Sequence, residues 1–433
     1  MRGNTGVGGV TGVAGSDVAE TLAFWVPGRI EVLGKHTDYG GGRSLLCAVE
    51  RGICVLARAR DEISPIAPAA SLVRVRDASF GSTAELELSA TIASAPGHWS
   101  NYPITVARRI TMNFSGPLRG ADIVFVSDLP AAAGVSSSSA LVVAVFLALS
   151  AVNDLPARAE YRDNIRTLED LAGYLGALEN GLDFKSLAGT AGVGTFGGSE
   201  DHTAILCARP GALVQYSFCP VTFERAIALP VDYGFVIAAS GVLAEKTGAA
   251  LADYNRVSRR LSVGLECWRA ATGRQDMSMG AAIASSAGAR DRIRGVLASA
   301  SDAEYPPASL LARFEQFDAE ANDIIPAAAS ALARGDLGEF GTLVSRSQAG
   351  AERGLNNQVS QTRALVRQAR DLGAAAASAF GAGFGGSVWA LVESRRGEAF
   401  RQGWAAAYGA AFPGSASSAQ FFVTGAGVAA TRL

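Results

Sequence analysis

The chain has 433 residues, 50 of them glycine, with 49% hydrophobic and 18% charged residues and a formal charge of −2. That length allows two or three domains with a full core. The balance of 38 Lys plus Arg against 40 Asp plus Glu lacks the basic excess that holds nucleic acid. The most apolar run, Ala140–Val152, covers about 13 residues where a bilayer span needs roughly 20, so no membrane partner is expected. Residues 1–20 are rich in Gly, Val and Thr without an apolar h-region, and read as a flexible leader rather than a signal peptide. The five cysteines are scattered without CxxC spacing, which argues against a disulfide framework or a zinc site and fits a reducing cytoplasm.

Taken in chain order, β-branched and aromatic runs predict strands at Phe24–Leu33, Ser44–Ala59, Ala121–Ser127, Ala212–Phe218 and Tyr233–Ala239. Helical spacing of apolar residues recurs over Ala140–Val152 and Leu168–Asn180. The second half changes character, with Ala-, Arg- and Leu-rich helical stretches at Leu243–Ala270, Pro307–Arg334 and Thr362–Leu372. A glycine-rich loop at Gly381–Gly386 and a strand at Val388–Val392 follow. The order predicts two α+β lobes divided near residue 230, after a leader over 1–20: one lobe over 21–230, the other over 231–433.

Three segments carry chemistry. The first runs from Pro27 to Gly42 and displays Arg29, Lys35, His36 and Asp38 on a turn after a strand. Such a mixture of donors and acceptors suits a polyhydroxylated ligand, although a polar turn alone would look similar. In the second, Gly134-Val135-Ser136-Ser137-Ser138-Ser139 leads directly into the apolar Ala140–Leu149 run. Small residues at a helix N-terminus let backbone N–H groups and hydroxyls surround an anion, and a serine can reach a phosphate-bound Mg²⁺. No lysine follows, so this is not a Walker loop; an N-cap with spare serines is the plainer reading. The third, Gly381-Ala382-Gly383-Phe384-Gly385-Gly386-Ser387, is by itself only a tight turn.

Together, in this order and at these separations, the three segments resemble the signature motifs of the GHMP small-molecule kinases, the galactokinase branch in particular. The resemblance spans about residues 23–425. It implies a two-lobed α+β fold, with an N-terminal lobe like the second domain of ribosomal protein S5, an α/β C-terminal lobe, and the active site in the cleft. It implies an ATP-dependent sugar kinase that phosphorylates the anomeric hydroxyl of a hexose, galactose first, with ATP and Mg²⁺, as a cytoplasmic monomer or homodimer. Asp201, in Gly198-Ser199-Glu200-Asp201-His202, falls at the family's catalytic position. Arg29 would sit beside it, and the glycine-rich approach to Asp201 reads as a loop under the transferred phosphoryl. Lys35, His36, Asp38, Gly198 and Tyr254 would hold the sugar. Gly134 and Ser136–Ser139 would wrap the phosphates, with Mg²⁺ on Glu179 and either Ser138 or Ser139. No role is assigned to His98.

The main departure is Lys35, which stands where the branch carries a glutamate facing the sugar. An ammonium there predicts an affinity for anionic sugars and opens a second reading, a uronic acid kinase. A catalytically inactive sugar- and ATP-binding regulator is the third. Smaller departures are Ala131-Ala132-Ala133 before Gly134, Ala382 between Gly381 and Gly383, and the Glu200 and His202 neighbours of Asp201.

Overall fold

The computed structural model describes residues 20–60, 71–130, 133–242 and 251–433. All but the last residue of the expected leader, the start of the helix expected from Leu243, and Ala131-Ala132 lie outside that range.

Twelve strands are defined among the described residues: β1 (Thr21–Leu33), β2 (Arg43–Ala59), β3 (Leu72–Asp77), β4 (Thr83–Glu87), β5 (Ala121–Ser127), β6 (Ala212–Ser217), β7 (Thr222–Ala228), β8 (Tyr233–Ala239), β9 (Ala376–Phe380), β10 (Ser387–Glu393), β11 (Gln420–Thr424) and β12 (Thr431–Arg432). An eight-stranded sheet follows the order β12-β1-β2-β5-β3-β4, with β6 pairing β2 and β7 pairing β6. A second sheet of four antiparallel strands has the order β11-β8-β10-β9. The change of sheet between β7 and β8 falls at about residue 230, yet the chain end returns to the first sheet as β12.

Alternation and β-branching explain the strands, and uninterrupted apolar content explains the central helix. Ser137–Val152 buries residues on every side, including Leu141, Val143, Val145, Phe146 and Leu149. A helix apolar all round belongs inside a core rather than on its surface. The largest core cluster joins β1, β2 and this helix to Phe235, Ile324, Phe340 and Trp389 of the second half, so the two halves share apolar packing.

The stretch expected as one helix from Pro307 to Arg334 is helical throughout to Ala333 but changes pitch. It runs as an α-helix over Pro307–Asp318, a π-helix over Ala319–Ile324 and an α-helix over Ile325–Ala333. Pro326 explains the break, because it has no N–H to donate and its ring crowds the carbonyl one turn back. This wide turn carries Glu320 into the buried region behind the first motif. No helix among the described residues is long and apolar enough to cross a membrane.

Candidate active site

One cavity gathers most of the chemistry. Arg29, Glu31, His36, Asp38, Ser139, Glu179, Gly198, Glu200, Asp201, His202, Tyr254 and Ala382 are among its lining residues. Strand β1 supplies the first two. Its pairing with β2 shifts register between Pro27 and Arg29 and again between Glu31 and Leu33. The short piece between these irregularities points Arg29 and Glu31 to one face and Ile30 into the core.

Arg29 is 1% exposed. Its Nε donates to Asp201 Oδ1 at 2.8 Å, its Nη2 lies 2.5 Å from the same oxygen, and its Nη1 donates to the Gly134 carbonyl. Burial opposes its charge, but the Asp201, Glu200 and Glu31 carboxylates beside it raise its pKa above the ordinary value. The far oxygen of Asp201, Oδ2, accepts from Ser139 Oγ at 3.3 Å. The glycine-rich approach over 194–198 has no helix or strand, as expected of a loop, and Asp201 follows it in the first turn of the helix Glu200–Cys207. A helical start holds the carboxylate more firmly than a glycine-rich segment would, and the helix dipole favours its charge.

The loop between β1 and β2 folds on itself, with Thr37 N donating to Gly34 O at 3.1 Å and Gly42 N to Thr37 O at 2.9 Å. Gly34 is required there: its φ is +129° and a Cβ would come within 2.2 Å of Ser44 Oγ. His36 Nε2 is 3.0 Å from the Ala382 carbonyl and Nδ1 is 3.1 Å from the Tyr39 hydroxyl. A carbonyl only accepts, so Nε2 carries the proton and a neutral ring accepts at Nδ1. Asp38 Oδ2 accepts from Glu200 N at 3.1 Å. The same oxygen would be 2.3 Å from a Cβ at residue 198, so only glycine fits there. Tyr254 is buried with its ring 5.4 Å from that of His36, and burial pushes its hydroxyl well above the usual range.

Lys35 corrects an expectation. It is 1% exposed and is not among the residues lining the cavity. Its Nζ donates to Ser347 Oγ at 3.0 Å, and Ser347 passes the bond to Glu320 Oε1 at 2.8 Å. Glu320 Oε1 also accepts from Gly34 N at 3.0 Å. The backbone turn at Gly34 sends residue 35 toward the second-half helices while His36 returns to the cavity. Those helices clamp the loop further, Arg313 donating to the His36 carbonyl and Gln316 Nε2 to the Lys35 carbonyl at 3.2 Å.

In the serine run, Gly134 and Ser136 have positive φ, 77° and 59°, which turns the chain into the helix Ser137–Val152. Ser139 lines the cavity and is fully buried, whereas Ser137 and Ser138 are half-buried and, with Gly134 and Ser136, stay outside the lining. Ser136 Oγ is buried without a hydrogen-bond partner among the described residues, and no side-chain cap closes the helix start. Glu179, near the end of the helix Leu168–Asn180, is buried with Oε2 3.0 Å from His202 Nε2. His98 lies elsewhere, its Nδ1 2.7 Å from Ser100 Oγ.

Sequence reasoning gave no role to Glu31, Glu200, His202 or Asn180, although Glu200 and His202 stood out as unusual neighbours of Asp201. Asn180 organises the approach to Asp201: its Oδ1 accepts from Thr195 Oγ1 and from Gly197 N, each at 2.8 Å, and its Nδ2 donates to Gly198 O at 3.1 Å. Its neighbour Glu179 was the only signal available for it. Glu31, two residues beyond Arg29 on the same strand, could have been found from β periodicity.

Fold and cavity together define a GHMP kinase, with an ATP-dependent kinase's two-lobed α+β architecture. Family models agree: the galactokinase galactose-binding signature matches residues 15–59, the GHMP kinase N-terminal domain 101–182, and the GHMP kinase C-terminal domain 328–410. A galactokinase of Roseiflexus sp. is 31% identical over 384 residues, covering 88% of this chain and 86% of the relative. A galactokinase of Chloroflexus aggregans is 28% identical over 390 residues, covering 88% and 86%. The structure of Lactococcus lactis galactokinase complexed with galactose superposes with a TM-score of 0.75 at 22% identity, over 96% of this chain and 95% of that one. Methanococcus jannaschii mevalonate kinase shares the fold more distantly, with a TM-score of 0.55 at 12% identity over 95% and 99%. The chain belongs to the galactokinase family and is an ATP-dependent sugar kinase.

Proposed function

We propose that this kinase transfers the γ-phosphoryl group of ATP to the anomeric hydroxyl of a neutral hexose, galactose first, in the cytoplasm. The observation that carries this is the Arg29–Asp201–Ser139 arrangement at the cavity wall. Phosphoryl transfer needs an acceptor oxygen, a place for its proton, and positive charge against the transferring group. Asp201 is the group that takes the proton. Arg29 keeps Asp201 ionised and offsets charge developing on the phosphoryl oxygens. His36, Asp38, Tyr254 and the Gly198 backbone supply the donors and acceptors for sugar hydroxyls. Gly134 and Ser136–Ser138 form the approach to the helix N-terminus, where unpaired backbone N–H groups suit the phosphates of ATP.

Mg²⁺ fits the donor set. Glu179 and Ser139 offer a carboxylate and a hydroxyl to one cavity, and both are hard oxygen ligands. No three His, Cys, Asp or Glu side chains gather as a metal cage among the described residues. That matches a cation held by one carboxylate and the substrate phosphates. When bound, Mg²⁺ neutralises charge on the phosphates. Ser139 is preferred over Ser138 because it alone of the two lines the cavity.

ADP release with Mg·ATP and galactose, glucose, galacturonate, glucuronate or mevalonate tests the assignment. Galactose-dependent ADP release supports it. Galactose binding without ADP release would mark an inactive sugar-binding protein instead.

A further inference from the structure

His202 stands in the cavity wall with no task in the chemistry so far. It is 1% exposed and lines the same cavity as Ser139, Glu179 and Asp201. The close approach of two helices puts it there. A Cβ at Gly176 would lie 2.6 Å from the Cβ of Ser199, so only glycine lets the helix Leu168–Asn180 touch the start of the helix Glu200–Cys207. Three residues beyond each of these contact points are Glu179 and His202, whose Oε2 and Nε2 are 3.0 Å apart. Close as they are, the two atoms do not line up as donor and acceptor: both ring nitrogens of His202 are buried without a hydrogen-bond partner among the described residues. A buried nitrogen left in this way is costly unless something takes its lone pair. A lone pair facing a carboxylate oxygen is repelled by it unless a cation is shared between them. Two donor atoms at right angles around one metal, with bonds of about 2.1 Å, stand about 3.0 Å apart. The observed separation is that of adjacent ligands.

We propose that His202 Nε2 is a ligand, beside Glu179, of the nucleotide-bound divalent cation, giving this kinase a mixed nitrogen and oxygen site that favours Mn²⁺ over Mg²⁺. This rests on the sugar kinase reading of the same cavity. Mg²⁺ is a hard cation that takes oxygen ligands, whereas imidazole suits the later divalent metals. Nε2 ligates only as neutral imidazole, which leaves the remaining proton on Nδ1. Glu179 and Ser139 supply oxygen from the same cavity, and the phosphates of ATP supply more. One carboxylate and one imidazole stay below the three-residue cage that is absent among the described residues. Of the three histidines, the other two are engaged. His36 Nε2 is on the Ala382 carbonyl and its Nδ1 on the Tyr39 hydroxyl, while His98 Nδ1 is 2.7 Å from Ser100 Oγ, away from the cavity. Because His202 follows Asp201 in one helical turn, the same turn sets the place of the cation and that of the proposed proton acceptor.

The test loads the full chain, wild type and His202→Gln, with Mn²⁺, the non-hydrolysable β,γ-imido analogue of ATP and galactose. Pulsed EPR of the bound Mn²⁺ is expected to show coupling to an imidazole nitrogen in wild type. That coupling should change on ¹⁵N-histidine labelling and vanish in His202→Gln. Calorimetric titration of the same protein–nucleotide mixture compares the two cations. Wild type is expected to hold Mn²⁺ over Mg²⁺ by at least about 10-fold more than the free nucleotide does. His202→Gln is expected to weaken Mn²⁺ about 10- to 100-fold and to bring the preference back to that of the free nucleotide. Mn²⁺ bound by oxygen alone in wild type would overturn the proposal and leave the kinase reading standing. Equal weakening of both cations by His202→Gln would do the same, reducing His202 to a structural part. Should His202→Gln fail to melt cooperatively, His202→Asn gives the same readings. Failure of wild type to bind the nucleotide with either cation would overturn the kinase reading and the proposal with it.

Discussion

Arg29 and Lys35 are two cations six positions apart in one motif, each 1% exposed, and they face different ways, one from strand β1 into the cavity and the other from the following loop away from it. Arg29 sits on a strand whose register irregularities aim it into the cavity, and it is held by the carboxylate of Asp201, the proton acceptor proposed above. Lys35 follows a glycine at φ +129° and is carried into a dry cluster with Ser347 and Glu320. Burial and charge are alike, so backbone direction alone separates a cation on the cavity wall from one behind the loop. A buried charge is costly unless paired, and each of these has its partner, Arg29 in Asp201 and Lys35 through Ser347 in Glu320.

The sharpest way to break this comparison is on the catalytic side. Asp201→Asn removes the proposed proton acceptor opposite Arg29 and is expected to lower kcat about 10²- to 10⁴-fold with ATP affinity retained, measured by ADP release and nucleotide titration. Retained turnover would show that Arg29 and Asp201 are a structural pair after all. Ser139→Ala comes next, with an expected rise of about 10- to 100-fold in the Mg²⁺ concentration needed for half-maximal rate. Ser138→Ala should stay near wild type, and the reverse order would move the metal to Ser138.

On the supporting side, Lys35→Met strips the counter-charge from Glu320 and Glu31. We expect a loss of about 3 kcal/mol in unfolding free energy, read from denaturant midpoints. The smallest effect is a pH dependence from the same cluster. Burial raises the Glu31 carboxyl from its ordinary 4.5 to about 7, against attraction by Lys35 and Arg29. Burial likewise raises Glu200, reinforced by the neighbouring Glu31 and Asp38 charges. A carboxyl raised on folding holds a proton that the unfolded chain has released. Its full stability contribution is therefore present at low pH and is lost as pH rises through the folded value. The melting temperature should fall between about pH 5 and pH 8, and Glu31→Gln should flatten that slope.

Much of the architecture was legible. Predicted strands at Ala121–Ser127 and Tyr233–Ala239 and the helix Leu168–Asn180 coincide with the observed elements, because each carries its own periodicity and a clear stop. The shorter strands β3, β4, β7, β9, β11 and β12 were not predicted, since pieces of two to seven residues are set by the strands they pair with rather than by their own pattern. Within the site, Arg29, His36, Asp38, Ser139, Glu179, Gly198, Asp201 and Tyr254 were named from motifs and do line one cavity. Lys35, Gly134 and Ser136–Ser138 were named with them and do not.

The amino-acid sequence by itself determined the family, the order of the three motif segments, and which residue types must meet. These depend on local pattern: glycines where φ is positive, small residues ahead of a helix, a strand before a turn. Only the tertiary structure decided which way each side chain faces at the turn, that Glu31 and Glu200 stand in the wall, that His202 abuts Glu179, and that Asp201 lies in the first turn of a helix. Those outcomes depend on contacts between segments hundreds of residues apart, such as Glu320 with Gly34 and Ser347 with Lys35. A sequence motif records which groups lie near one another along the chain. Direction in space is set by what packs behind them.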